Sequence, residues 1–301
     1  MHKIAAVVVT YNRKEMLEQC IAALMNQQDA NCDILIVDNN STDGTHLVME
    51  QYKNQGVQYK KLNENIGGAG GFNTGMRWAV EQGYDAVWIM DDDTLPSPDA
   101  LSALLQADRH LNGEYGWLSS VALWTDGHEC KMNRAKLKKS FYEYSEYLKY
   151  GIIQAEQATF VSMFFRAETI RKAGLPIREF FIWGDDIEYS RRISVRMNMP
   201  CFVVGASQVV HAMKENNGSS IANDQIERIA RYNYAFRNEN YLYRQEGVRG
   251  FVYYMAKCAL NLCRIWAKAP NYKAKRSAII IKNFFGGFFF QPRVEYIEKG
   301  I

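Results

Sequence analysis

The 301-residue chain reads as an α/β protein built on a parallel sheet with a helical C-terminal extension, and three observations predict this. Apolar, β-branched runs alternate with helix-spaced segments over roughly the first third of the chain. Polar loops at Thr10, Asp38, Asn65 and Asp91 all fall at strand ends, where open α/β sheets bind ligands. From about residue 223 onward the pattern is helical to the end.

Residues 4–9 are apolar and β-branched, as a strand buried on both faces requires, and Tyr11-Asn12-Arg13 ends them. Met16, Leu17, Ile21, Leu24 and Met25 then recur at helical spacing. A second strand over 33–37 runs into Asp38-Asn39-Asn40-Ser41-Thr42-Asp43-Gly44, a turn-rich loop with helix-capping side chains. A helix through Leu47, Val48 and Tyr52 and a short strand near 57–60 follow. Glycine-rich residues 65–75 precede a helix expected around 76–82. The strand 86–90 leads into Asp91-Asp92-Asp93, and Ser97-Pro98 supplies an N-cap and first position for a helix through Leu101, Leu104 and Leu105. In the middle third, 117–124, 159–166 and 200–204 read as strands. Residues 178–192 read as a loop feeding a helix with acids in its first turn, and His211 ends another apolar run.

Apolar residues at 48% and charged residues at 23% are ordinary globular usage, which excludes disorder and fibrous architectures. The net charge of +3 conceals an asymmetry. Nine Lys/Arg and no acid lie between 247 and 294, and the last seven residues carry −1, which leaves −5 for residues 1–246. The six cysteines form no CxxC pair or zinc spacing, and several lie inside apolar runs and read as small buried thiols. The N-terminal apolar run is too short for a signal peptide, and no uninterrupted apolar stretch reaches the roughly 18 residues of a spanning helix, so a cytoplasmic address is expected.

Three segments carry chemistry. The glycines of 67–75 do not fit a dinucleotide fingerprint, because Gly68 would need glycine at position 73, which is asparagine; they form either a tight strand–helix connection or a close approach to a phosphate or base. Asp91-Asp92-Asp93 at the end of an apolar strand repel one another and call for a cation. Alternate residues of an extended loop point the same way, so Asp91 and Asp93 suit one hard divalent ion, Mn²⁺ or Mg²⁺, which binds a diphosphate. Asp185-Asp186 beneath Trp183 reads either as favourable helix-dipole charge or as a general base, Asp186, whose pKa the crowding raises. His211 gains meaning only as a nitrogen ligand beside Asp91 and Asp93.

Taken together, Val7 through Arg13, Val37 through Thr45, Asn65-Ile66-Gly67, Asn73-Thr74-Gly75, Asp91-Asp92-Asp93 and Gly184-Asp185-Asp186 resemble the family 2 glycosyltransferases over about residues 1–215. The resemblance implies the GT-A fold and an inverting transfer from a nucleotide-diphosphate sugar. By that resemblance Thr10, Asn12, Asp38, Asn65 and Gly67 bind the nucleotide sugar together with Asp91 and Asp92. Asp91, Asp93 and His211 hold the metal, Asp186 is the base that activates an acceptor hydroxyl, and Trp183 and Asp185 orient the acceptor. Within the family the chain looks most like galactofuranosyltransferases, which use UDP-galactofuranose. Gly184, standing between Trp183 and the acids, departs from their pattern and keeps rhamnosyltransferases using dTDP-rhamnose as the alternative.

The implied units are a transferase domain over 1–222 and a helical, basic region over 223–301. Aromatic residues interspersed with cations between 251 and 266 suit an anionic membrane surface, with a homo-oligomer contact as the competing use. The expectation is peripheral attachment at the inner face of the cell membrane, a lipid-linked glycan acceptor, and no nucleic acid, for which no motif is present. A non-catalytic nucleotide-sugar-binding partner is the reading from a different class, and a nicotinamide oxidoreductase is disfavoured by the failed glycine fingerprint.

Overall fold

The protein is described from a computed structural model covering residues 3–298. The expected alternation is present: β1 (Ile4–Thr10), α1 (Lys14–Met25), β2 (Asp33–Asp38), α2 (Thr45–Glu50), β3 (Val57–Lys61), α3 (Gly67–Glu81) and β4 (Ala86–Asp91). There follow β5 (Thr94–Pro96), α4 (Ala100–His110), β6 (Leu118–Leu123), β7 (Lys136–Leu137), β8 (Ile152–Gln157), β9 (Met163–Arg166), α5 (Ala167–Ala173), α6 (Asp185–Arg191) and β10 (Phe202–His211). Four helices close the order: α7 (Ile226–Ile229), α8 (Tyr232–Gln245), α9 (Gly247–Lys268) and α10 (Lys273–Gly286).

The strands form one sheet in the order β3-β2-β1-β4-β9-β6-β10-β8-β7, with β5 paired to β10. The first four are parallel. Beyond them the sheet is mixed, because β9 runs antiparallel to both β4 and β6. Since β10 runs parallel to β6, its end at His211 comes out on the same edge as the end of β4 at Asp91. The reversal in β9 is thus what brings a residue from late in the chain to the acidic loop.

Period-two alternation splits the core into two layers. Ala6, Val8, Trp88 and Met90 face α1 and α4, and Ala5, Val7, Val9, Val87 and Ile89 face α3 and α5. A third cluster, centred on Phe236, Tyr254, Ile265 and Ile280, belongs to α8–α10.

Four local expectations are corrected. Helix α3 starts at Gly67, not near Met76, so the glycines lie inside the helix, where they let it sit directly on β1. A Cβ at Gly71 would stand 2.5 Å from Val9 Cγ1, and one at Gly75 would stand 2.3 Å from Val7 Cγ1. Ser97 does not cap α4, because 94–96 pair with β10 and delay the helix to Ala100; the Ser97 hydroxyl donates to Asp99 at 2.8 Å. The strand expected over 159–166 is confined to 163–166, and β8 was not anticipated. The chain is not helical to its end: beyond α10 it returns to the sheet domain, where Leu175 N–H donates to the Glu295 carbonyl, Glu295 pairs with Arg77 at 2.5 Å and Ile297 is buried.

Gly75→Ala should cost about 1–3 kcal/mol through overpacking against Val7. Thermal or denaturant unfolding measures it, and an unchanged midpoint would mean that α3 can lift off β1 without penalty.

Candidate functional site

The ends of β1, β4 and β10 meet at one edge of the sheet. Asp91 is the last residue of β4, and Asp92 and Asp93 form the turn into β5. Thr10, almost fully buried, donates its hydroxyl to Asp92 Oδ2 at 2.7 Å. The Arg13 guanidinium lies 3.2 Å from Asp92 and 2.5 Å from Asp93. His211, paired with Thr94 across the strands, places Nε2 3.1 Å from Asp93 Oδ1.

Burial raises the Asp91 carboxyl to about 7, with the neighbouring Asp93 charge adding to it. Burial likewise lifts Asp92, to about 6, against the pull of Arg13. Burial pushes Asp93 up, but the hydrogen bond and charge of His211, the Arg13 charge and a backbone N–H together hold it below the usual carboxylate range. Burial alone would lower His211, but its hydrogen bonds to Asp93 and Cys130 and the charges of Asp93 and Asp91 together raise it to about 10. A proton on Nε2 therefore stands where a cation belongs. Asp91, Asp93 and His211 each offer a ligand atom, and these atoms lie within 4.8 Å of one another. Two carboxylates and one imidazole are a donor set that fits a divalent ion.

Asp185 and Asp186 open α6, and Asp185 lies within electrostatic reach of Asp91. Burial raises Asp185 well above the ordinary range, and Asp186 and then Asp91 add to the effect, so the two acidic groups sense each other. Asp186 is half-buried, accepts the Ile187 N–H at 2.7 Å and is pushed up to about 6 by burial. The loop before α6 is bent tightly: Phe181 and Trp183 both hold φ of 63°, and Gly184 holds 86°.

The nucleotide-binding candidates lie around β1, β2 and the start of α3. Asp38 is fully buried, with Oδ1 accepting from the Ser41 N–H at 2.7 Å and Oδ2 from the Tyr59 hydroxyl at 2.5 Å. Asn12 is exposed and accepts the Thr42 N–H at 2.7 Å; Asn65, also exposed, accepts the Gly67 N–H at 2.9 Å. Gly67 holds φ of +75°, with its Cβ position only 2.1 Å from the Phe181 carbonyl oxygen, so no other residue fits there. The structure joins Thr10, Asp91, Asp92, Asp93 and His211 by direct bonds or ligand-atom distances, and brings Asp185 within electrostatic reach of Asp91. Asn12 is bonded to Ser41 and Thr42 in the loop after β2, Asp38 to Ser41 of that loop and to Tyr59 of β3, and Asn65 to Gly67 in its own loop.

Two residues that sequence reasoning missed support this site. Asn238 in α8, fully buried, donates Nδ2 to the carbonyls of Phe180 at 3.0 Å and Trp183 at 2.8 Å, clasping the bent loop. Asn133 accepts at Oδ1 from His211 Nδ1, 2.8 Å away. Helix α6 is further fixed by Arg191, which pairs with Glu246 at 2.6 Å and Glu156 at 3.1 Å.

The family model described as "Glycosyl transferase family 2" matches residues 5–165. The chain is 26% identical over 260 residues to the galactofuranosyltransferase GlfT1 of Mycolicibacterium smegmatis, covering 82% of this chain and 84% of the relative. It is 27% identical over 262 residues to GlfT1 of Mycobacterium tuberculosis, with the same shares. Among solved structures, GalNAc-T7 with UDP, GalNAc and Mn²⁺ aligns at TM-score 0.67 and 12% identity over 96% of this chain and 56% of that one. S. aureus TarS 1-349 with UDP-GlcNAc aligns at 0.52 and 15% over 95% and 72%.

Asn238→Ala removes the side-chain donor that the Phe180 and Trp183 carbonyls share, and should destabilise the protein by about 1–3 kcal/mol. The melting temperature reads this directly, and a variant as stable as the parent would mean that the 180–184 loop holds its shape unaided.

Proposed function

The chain belongs to glycosyl transferase family 2 and has the GT-A fold, and on that premise we propose that it transfers galactofuranose from UDP-galactofuranose to a hydroxyl of a growing cell-surface or exopolysaccharide glycan, with inversion. The observation that carries the donor is the similarity to two mycobacterial galactofuranosyltransferases over 82% of the chain, well beyond the segment that the family model matches. In this reading Thr10, Asn12, Asp38, Asn65, Gly67, Asp91 and Asp92 bind the nucleotide sugar. Asp91, Asp93 and His211 hold Mn²⁺ or Mg²⁺, which when bound neutralises the diphosphate as it leaves. Asp186, ionised above about pH 6, takes the proton of the acceptor hydroxyl as that oxygen attacks the anomeric carbon. Trp183 and Asp185 orient the acceptor. Gly184, a departure from the galactofuranosyltransferase pattern, keeps dTDP-rhamnose as the second candidate donor, and the retained acids at 91, 93 and 186 speak against a non-catalytic nucleotide-sugar-binding partner.

Residues 1–222 are proposed as the transferase unit and 223–301 as the region that meets a lipid-linked acceptor at the inner face of the cell membrane. Among the described residues no helix is long and apolar enough to cross a membrane. Helices α9 and α10 nevertheless expose Val252, Tyr253, Leu260, Trp266 and Phe285, with Phe289 just beyond them, beside exposed Arg249, Arg264, Lys268, Lys275 and Lys282. Apolar side chains among cations suit an anionic lipid surface; a second copy of the chain is the competing occupant.

The deciding measurement is nucleotide release from a donor panel including UDP-galactofuranose and dTDP-rhamnose, with Mn²⁺ or with EDTA. Metal-dependent turnover of UDP-galactofuranose alone is expected, and turnover of dTDP-rhamnose instead would replace the donor. Asp186→Asn should lower transfer about 10²- to 10⁴-fold while donor binding stays near wild type; loss of donor binding would remove Asp186 from the role of base. The rate should fall as pH drops through about 6, where Asp186 is protonated. Its raised pKa means that ionised Asp186 weakens the fold, a stability lost as pH rises through about 6, so Asp186→Asn should melt no lower than wild type at pH 8. Sedimentation with anionic liposomes at low salt should retain the protein, and release it at high salt; indifference to the vesicles would leave the exposed face to another copy.

A further inference from the structure

We infer that Asn133 is a positioning residue for the metal site: its side-chain oxygen decides which nitrogen of His211 is offered to the ion. The inference rests on reading Asp91, Asp93 and His211 as that site. An imidazole can bind a metal through either ring nitrogen, and the hydrogen bond at the other nitrogen selects between them. Here Nδ1 lies 2.8 Å from Asn133 Oδ1, and Nε2 points to Asp93 at 3.1 Å.

The orientation of the Asn133 amide is itself determined. The Cys130 thiol donates to Oδ1 at 2.9 Å, and Nδ2 donates to Thr159 Oγ1 at 2.8 Å. An oxygen that already accepts from a thiol faces Nδ1, so Nδ1 carries the hydrogen. Neutral His211 then presents its lone pair at Nε2, towards Asp91 and Asp93. The thiol also lies 3.8 Å from Nδ1, a longer and weaker sulfur contact beside the 2.8 Å bond to Asn133.

The turn carrying Asn133 is anchored at both ends. Its N–H donates to the Cys130 carbonyl at 3.0 Å, and the Cys130 N–H donates to Ala122 of β6 at 3.1 Å. Asn216, just beyond His211, accepts the Lys131 N–H and donates to the Glu129 carbonyl, each at 2.9 Å. The segment that orients the ring is therefore tied to both the sheet and the chain leaving His211.

Binding of Mn²⁺ alone to the full chain, followed by loss of the free-ion EPR signal, tests this. Asn133→Ala should bind about 10- to 100-fold more weakly than wild type, the usual effect of removing such a partner. Asn133→Asp, which keeps an acceptor in place, should stay within a few fold, and Asn133→Leu, similar in volume but without the acceptor, should show the same loss as alanine. With His211→Ala already present, Asn133→Ala should cost nothing more, because no ring remains to be oriented. Wild-type affinity in folded Asn133→Ala or Asn133→Leu beside a weakened His211→Ala would overturn the inference alone. An equal further loss in the His211→Ala background would also overturn it, as a general structural effect. A wild-type chain that binds no Mn²⁺ would overturn it together with the metal reading beneath it.

Discussion

Negative charge crowded against the edge of an apolar sheet is the constraint to which the rest of the molecule answers. Asp91, Asp92 and Asp93 leave one strand together, and Asp185, which opens a helix with Asp186, lies within electrostatic reach of Asp91. Burial raises Asp91, Asp92, Asp185 and Asp186 above the ordinary carboxylate range. Charge of this kind persists only when cations and hydrogen bonds balance its lost hydration. Arg13 and His211 do so in part, and they differ. Arg13 reaches in from an exposed position, where water screens the pairing, whereas His211 is buried beside Asp93 and acts through a less polar medium. Five acidic groups face these two cations, so the edge brings together more acids than the bases that pair with them.

The C-terminal helices belong to the same arrangement. Asn238 of α8 grips the loop before Asp185, and Glu246, where α8 meets α9, grips Arg191 of α6. Arg276 of α10, almost entirely buried, donates to the carbonyls of Ile221 at 2.6 Å and Asp224 at 3.0 Å, fixing the far end of the segment that leaves His211. The helical region thus carries an apolar, cationic outer face and an inner face of polar clamps.

Whatever short-range pattern determines was legible in the sequence. Strands β1, β2 and β4 follow from apolar runs that end in polar loops, and the acidic cluster follows from three like charges that no isolated strand end would keep. His211 was legible only in combination with those acids. Interactions between distant segments left no such mark. The glycines of α3 looked like a loop because their purpose, contact with Val7 and Val9, is visible only once helix and strand are packed. Ser97 looked like a cap because nothing local announces that Thr94–Pro96 will pair with β10. Asn133 lies in a stretch without apolar periodicity, and Asn238 is one polar residue in a helix rich in them. Asn133 acts through one bond to a ring and Asn238 through bonds to a loop, in each case far away in sequence.

The reversed strand β9 has a consequence for how the chain is made. His211 lies 118 positions beyond Asp93, so a ribosome has produced two-thirds of the protein before that bond can form. Over that interval the parallel half of the sheet can assemble, but its acidic edge lacks the histidine. Arg13, 80 positions before Asp93 and already synthesised, is the counter-ion at hand. One guanidinium thus balances part of the nascent edge's charge, and the imidazole arrives with β10 as a late closing contact, the kind of long-range pairing that slows folding.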